Sequence, residues 1–412
     1  MPPKKNVPSK KQSQPKKDGG NKHPQHNIGF LPPGAKRSQH QDPRAAPSYS
    51  PEELFGYRYE PHFPVAPRLR QCPSALIEAV NDFHYAMMND LPRNEFYYNM
   101  LQQVIVPGET TVLEIGAGSG LLSMMAAKLG AKWVVAVEGS HEMSELAKEN
   151  VRENNLQDKV TVYNMLSTDL TSRDLPSTPD VLVSEIFGTL LLGESALDYI
   201  EDVRRRKIIS DKTQILPQFG VQYAVLVECD TLTEITAVST WRDLNLSHVM
   251  ALQDTSSVVF TKQYGFRMSS VPFKRLCEPI PLLEIDFCKN SSKDYRKKLP
   301  LHVTATESGT AHAWMYYWVA SHPKTTAEGD RFVMSTDPED TLKNFPRDMQ
   351  WGQALQLVDS NADPKIPSPL AVEKGKSYDF NCSLSYDRVI MHIQYLKPSE
   401  EKKEAAKQEE AH

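Results

Sequence analysis

Cysteine is scarce in this chain. Its five residues, at 72, 229, 277, 288 and 382, form no CxxC pair and are odd in number, which argues against a disulfide scaffold and against structural zinc. The expectation is a reducing compartment, the cytosol, with nuclear entry left open. Long apolar runs are lacking as well. The best of them, Ile215 to Cys229, is broken by Pro217, Gln218 and Gln222, well short of the ~20 apolar residues that span a membrane. The opening Met1-Pro-Pro-Lys-Lys has no apolar segment of the signal-peptide kind.

What is present fits a globular protein of two domains. The 412 residues are 40% hydrophobic with a net charge of −5, ordinary values for a soluble fold. The charge is uneven. Residues 1–48 hold ten Lys or Arg against Asp18 and Asp42, a balance of +8 that leaves −13 for the rest. Residues 1–50 form a basic tail rich in Pro, Gln and Lys, and that composition predicts disorder. Contact with nucleic acid, a localisation signal and a merely solubilising role all remain open for it. The acidic body suits a basic polypeptide partner, since opposite potentials steer encounter. Residues 398–412 read as a charged, solvated end.

Hydrophobic spacing divides the body near residue 217. From Pro73 to Val106 the pattern is helical, interrupted at Pro92 and resumed from Phe96 to Gln103. An alternation of strands and helices follows. Strands are predicted at Thr111–Ile115, Lys132–Val137, Val160–Tyr163 and Val181–Ser184, and helices at Leu121–Leu129, Glu142–Asn154 and Ser195–Lys207. That order implies a parallel sheet covered on both faces. After Pro217 the period becomes that of strands, among them Val221–Glu228, Ala313–Val319, Ala354–Val358 and Val389–Tyr395, as in an antiparallel β domain. Leu232–Met250, around Trp241 and Leu244, reads as a helical insertion in it. The predicted domains are 51–217 and 218–397.

Two constellations carry chemistry. Val112-Leu-Glu-Ile-Gly116-Ala-Gly118-Ser-Gly120 is a strand feeding a glycine turn, where backbone can approach a bound molecule. A dinucleotide fingerprint wants its third glycine at 121, but Leu121 stands there. The displacement favours S-adenosyl-L-methionine. Glu138 closes the second strand 22 residues beyond Gly116, where an acid accepts hydrogen bonds from a ribose diol. Leu166-Ser167-Thr168 follow the third strand, placed to line an adenine.

The second constellation is Ser184-Glu185-Ile-Phe-Gly188-Thr-Leu-Leu-Leu-Gly193-Glu194. Two acids flank an almost wholly apolar loop, at the sheet edge where ligands bind. Carboxylates so framed call for a cation, and the fork of a guanidinium matches two of them. Such a pair also answers a chemical difficulty. Arginine and the sulfonium donor are both cations, and two unit charges ~4 Å apart repel by roughly 4 kcal/mol at an effective dielectric near 20. Glu185 and Glu194 offset that repulsion and orient the attacking nitrogen.

Together these residues resemble the protein arginine N-methyltransferases, from about Pro73 to Tyr395. Val112–Gly120 is similar to their cofactor loop and Ser184–Glu194 to their double-E loop. The resemblance implies a Rossmann-like class I methyltransferase domain, then an antiparallel β-barrel with an inserted helical dimerisation arm at about 232–250, hence a homodimer. It implies Glu185 and Glu194 as catalytic residues and S-adenosyl-L-methionine as cofactor, leaving as S-adenosyl-L-homocysteine. His84-Tyr-Ala-Met87-Met-Asn-Asp-Leu-Pro-Arg93 is similar to the helix over the cofactor, with Arg93 as partner of the methionine carboxylate and His84 and Met87 near the reacting end. Glu114, Ala117 and Gly139 complete the implied cofactor set with Gly116, Gly118, Glu138 and Leu166–Thr168. Arginine-containing proteins are the implied substrates, RNA-binding proteins and histone tails among them.

The departures from the family pattern are local. Met349-Gln350-Trp351 stands where a Thr-His-Trp loop is usual, and Gln350 and Trp351 become the candidate substrate wall. Phe187-Gly-Thr189 replaces Met-Gly-Tyr, and Gly193 directly precedes Glu194. These departures resemble the type III, monomethylating branch of the family. Of the aromatic motif that precedes the cofactor helix, only Tyr57 and Tyr59 offer a trace. A methyltransferase acting on RNA or a small molecule, and a non-catalytic scaffold of the same fold, are the alternatives.

Overall fold

Every residue of strand β1, Thr111–Ile115, is buried, as a strand covered on both faces must be. It is the middle of a parallel sheet with β2 (Trp133–Glu138), β3 (Val160–Asn164), β4 (Val181–Ser184) and β5 (Gln214–Leu216), in the order β3-β2-β1-β4-β5. The chain leaves β1 toward β2 and β3, then crosses back to β4 on the other side. The order therefore reverses between β1 and β4, and a crevice opens at their carboxyl ends. Gly116 follows β1 and Glu185 follows β4, so both constellations arise at that crevice.

The computed structural model describes residues 67–69, 74–291, 298–325, 331–341, 345–384 and 391–398. The basic tail, Tyr57, Tyr59, Cys72 and the charged end from residue 399 lie outside them. The chain divides at Ser74 into two units. Of the first, the short 3-10 helix Pro67–Leu69 and Ser74 are described; from Ala75 on, all below belongs to the second.

Helices α1 (Ser74–Ala79), α2 (Asp82–Asn89) and α3 (Leu91–Val104) precede the sheet. The pattern predicts an interruption at Pro92, but Pro92 interrupts no helix. It stands in the first turn of α3, where its missing N–H has no intrahelical partner to lose. The breaks fall instead at Val80–Asn81 and at Asp90, whose carboxylate caps α3 by accepting the Arg93 backbone N–H at 3.0 Å. Helices α4 (Leu121–Lys128), α5 (His141–Glu153) and α6 (Ala196–Arg205) follow β1, β2 and β4, within two residues of the predicted bounds.

Beyond Leu216 the strands are antiparallel. Phe219–Glu228 pairs with the long strand Ala313–Thr325, which pairs in turn with Ala354–Leu357. Leu299–Thr304, Ser377–Leu384 and Met391–Tyr395 form a second sheet. The insertion is helical only at its ends, Asp230–Thr236 and Ser247–Met250. Its middle, Thr240–Trp241 against Leu244–Asn245, is a two-strand ribbon turning at Arg242, which holds a left-handed φ of 54°. Thr and Trp favour a pleated surface, and the turn between them overrides the helical reading. One apolar core runs from Phe96 in α3 through both sheets to Ile393.

Candidate active site

The cradle begins at Gly116. Its φ is +75°, and a Cβ there would stand 2.5 Å from the Ile186 side chain, so the turn after β1 and the residue after Glu185 come together only over glycine. Gly118 offers its N–H to the Glu138 carboxylate at 2.7 Å, and the Ser140 N–H reaches the other oxygen at 2.8 Å. Two backbone donors thus aim the acid along the strand end, with further lone pairs left on each oxygen. Glu114 lies beneath, wholly buried, accepting from the Ser123 hydroxyl. Burial pushes its carboxyl up to about 8, so it is a neutral acid near pH 7.

The acid loop is closed by backbone rather than by side chains. A Cβ on Gly188 would lie 2.9 Å from Gly193 Cα. The two glycines pinch the ends of the loop, and Glu185 and Glu194 emerge on the same cavity. Below the pinch the loop is held from the antiparallel sheet. The Trp318 indole donates to the Gly188 carbonyl at 2.8 Å, and the Leu191 N–H donates to Gln222 at 2.8 Å. Thr189 Oγ1 donates to the Trp351 carbonyl at 2.6 Å.

The two acids differ. The Glu185 side chain is buried, and its Oε2 accepts from Arg93 Nη2 at 2.7 Å, Arg93 Nε at 3.3 Å and Gln350 Nε2 at 3.4 Å. Glu194 stands on the rim: it is exposed and lines the cavity. Crowding by the walls, then the charges of Glu185 and Glu138, push its carboxyl up to about 7. It is a carboxylate in want of a cation.

The resulting cavity, about 460 Å³, gathers most of the predicted residues: His84, Met87, Arg93, Glu114, Gly116, Ala117, Gly118, Glu138, Glu185, Glu194, Gln350 and Trp351. Arg93 does not stand open for a carboxylate as expected. In the low dielectric of the crevice it pairs with Glu185, both side chains about 95% buried. Gly139 and Leu166–Thr168 are outside the walls. The Leu166 side chain folds over Gly139, Ser167 is buried with its carbonyl on Arg206 at 2.7 Å, and Thr168 is exposed. Trp351 is less a wall than a strut: it is buried and gives its indole N–H to the Phe187 carbonyl. His84 accepts the Asn81 N–H at 3.3 Å in the cap of α2, and burial lowers its pKa.

Four side chains stand out among those that do not follow from the predicted site set. Phe83 and Met88 on α2 and Lys262 line the cavity, Lys262 donating to the Gln350 carbonyl at 3.0 Å. Tyr97 donates to the Ser184 carbonyl at 3.0 Å and fixes the end of β4. The Phe83 and Tyr97 positions follow from i,i+4 helical spacing to Met87 and Arg93; Lys262 carries no local signal.

Residues 97–199 match the family model described as ribosomal protein L11 methyltransferase. An arginine N(omega)-methyltransferase of Streptomyces achromogenes subsp. streptozoticus is 30% identical over 74% of this chain and 78% of its own length. A protein arginine N-methyltransferase 7 of Cricetulus longicaudatus is 28% identical over 62% of this chain. The chain spans 39% of that relative's length. Among solved structures, the Trypanosoma brucei PRMT1 enzyme–prozyme complex with AdoHcy superposes with a TM-score of 0.59 at 19% identity, covering 76% of this chain and 93% of that one. Arabidopsis thaliana protein arginine methyltransferase 10 does so at 0.57 and 16%, over 78% and 100%. At such identities the structures speak to the fold.

Proposed function

The chain belongs to the arginine N-methyltransferase family, and we propose that it transfers one methyl group from S-adenosyl-L-methionine to an ω-nitrogen of arginine in a protein segment. The observation that carries this reading is the placing of Glu185 and Glu194, through the Gly188–Gly193 pinch, on the cavity that the glycine cradle opens into. The cradle residues fit the donor: the backbone at Gly116 and Gly118, open to close approach for want of a side chain, the Glu138 carboxylate for a ribose diol, and the neutral Glu114 beneath. Bound there, S-adenosylmethionine supplies an electrophilic methyl group.

This chain's residues do the rest. Glu194 meets one edge of the guanidinium, and Glu185, already anchored by Arg93, meets the other through Oε1. Two carboxylates offset the repulsion between acceptor and donor, roughly 4 kcal/mol at ~4 Å and a dielectric near 20. They also hold the nitrogen in line with the breaking S–C bond. Methylation of a guanidinium cation releases one proton overall, and Glu194, balanced near neutrality, is the group placed to take it.

Arrest after one methyl rests on the resemblance to the type III branch and on volume. A monomethylated guanidinium must rotate and seat its methyl group before a second transfer, and Glu194 and Gln350 crowd that space. Incubation with labelled S-adenosylmethionine and an Arg-Gly-rich peptide tests the whole. Label on the peptide that disappears in Glu185→Gln supports the reading; retained label overturns the mechanism.

One observation favours a second acceptor. The Streptomyces relative, matched over 78% of its length, is named for arginine rather than protein arginine. Methylation of free arginine in the same assay, with none on the peptide, would replace the protein substrate.

A further inference from the structure

Asp90 and Arg347 make a bidentate ion pair inside the protein that nothing above uses. Arg347 Nε lies 3.0 Å from Asp90 Oδ2 and Nη2 lies 3.2 Å from Oδ1, with side-chain exposures of 7% and 0%. Arg347 Nη1 donates to the Ser335 carbonyl at 2.9 Å. The two residues are 257 positions apart. One caps α3; the other sits in the six-residue helix Phe345–Gln350.

Both elements reach the same atom. Asp90 accepts the Arg93 backbone N–H, and the Arg93 guanidinium is on Glu185 Oε2. Three residues beyond Arg347, Gln350 Nε2 is on that same oxygen. The contacts close a ring: Glu185, Arg93, Asp90, Arg347, Gln350 and Glu185 again. A six-residue helix has little stability of its own, so its place depends on what pins it. The pin is a planar fork on a buried carboxylate, the pairing with the most directional geometry among charged side chains. Gln350 carries no charge, and the charge that meets the cap of α3 comes from Arg347.

We propose that Asp90 and Arg347 are positioning residues that orient Glu185, locking the two helices that donate to its Oε2 so that Oε1 is presented to the acceptor guanidinium. The proposal rests on the methyltransferase reading for what the orientation serves, but the ring itself can be tested without turnover.

The test uses the full chain with three changes: Asp90→Asn, which keeps a good helix cap; Arg347→Gln; and Arg347→Lys, which keeps the charge and loses the fork. Hydrogen exchange of residues 345–353 is read first, because the Trp351 amide donates to the Arg347 carbonyl. Asp90→Asn, a change in another element, should speed that exchange about tenfold. In methyl transfer each variant should lose 10- to 100-fold in kcat with the peptide KM within about threefold, as misplacement of an aligned group does. Gln350→Ala should cost little further in the Arg347→Gln background, since the two act in series. Arg347→Lys carries the same expectations should Arg347→Gln fail to fold. Unmoved exchange in Asp90→Asn, or additive losses in the Arg347–Gln350 cycle, would overturn the proposal. Coupled exchange in a protein that transfers no methyl group upholds the ring and strikes the functional reading alone.

Discussion

The indole N–H of Trp351 lies 2.8 Å from the carbonyl oxygen of Phe187. Those residues are 164 positions apart, and the bond joins the residue after the short helix to the acid loop, alongside the contacts of Thr189 and Gln350. Trp318 adds a second such bond to Gly188, and its ring meets that of Trp351 edge-on at 5.0 Å. The loop carrying both acids is thus fastened to the antiparallel sheet by indoles, which bring apolar area and one directional donor each.

Loss of the anchored acid should be the most damaging change. Glu185→Gln is expected to lower kcat by about 10²–10³, the size typical of removing one preorganised electrostatic contact. It also leaves Arg93 buried without its counter-charge, so the thermal midpoint should fall and rates should be taken well below it. A kcat within tenfold of wild type would remove Glu185 from the chemistry.

Glu194→Asp shortens the rim acid by one methylene. The space gained should admit a second transfer, and dimethylarginine should appear in the peptide digest by mass spectrometry. Monomethylarginine alone from both proteins would discard the volume argument.

The rim acid also sets a pH dependence. With its pKa at about 7, Glu194 is protonated below neutrality and cannot hold a cation. The value of kcat/KM should therefore rise with pH through about 7 and level off above it, because that ratio reports the free enzyme. Glu194→Gln should lack this limb. A flat wild-type profile between pH 6 and 8 would show that another group governs binding.

Glu114 acts on stability in the opposite sense to an ion-paired acid. Its folded pKa, about 8, exceeds the unfolded value near 4.3, so the folded state holds an extra proton between those pH values. Stability is then highest below the window and declines as pH rises through it. Glu114→Gln, which mimics the neutral acid, should raise the thermal midpoint at pH 8.5 and leave it nearly unchanged at pH 5. Equal shifts at both would mean that Glu114 does not titrate in the fold.

The legible parts of this molecule were those written locally. Helices α4 to α6 and strands β1 to β4 follow from hydrophobic spacing, and the two glycine-framed acids follow from their separation. Lys262 and the Asp90–Arg347 pair did not, because each acquires its role from a partner that the antiparallel sheet delivers across the chain. The ribbon at Thr240–Asn245 departs from the helical expectation because a two-residue turn outweighs a window average. Leu166–Thr168 had the right place in the order of strands, but the Leu166 side chain covers Gly139 instead of facing the cavity.

Leu190, Leu191 and Leu192, the middle of the acid loop, are all within the apolar core. Many catalytic loops fray at temperatures their scaffolds survive, and activity fades ahead of the fold. Here the segment between the acids cannot leave without withdrawing three leucines from the interior. Thermal inactivation and global unfolding should accordingly be one event, and a variant selected for a more stable core should carry its working temperature upward with it.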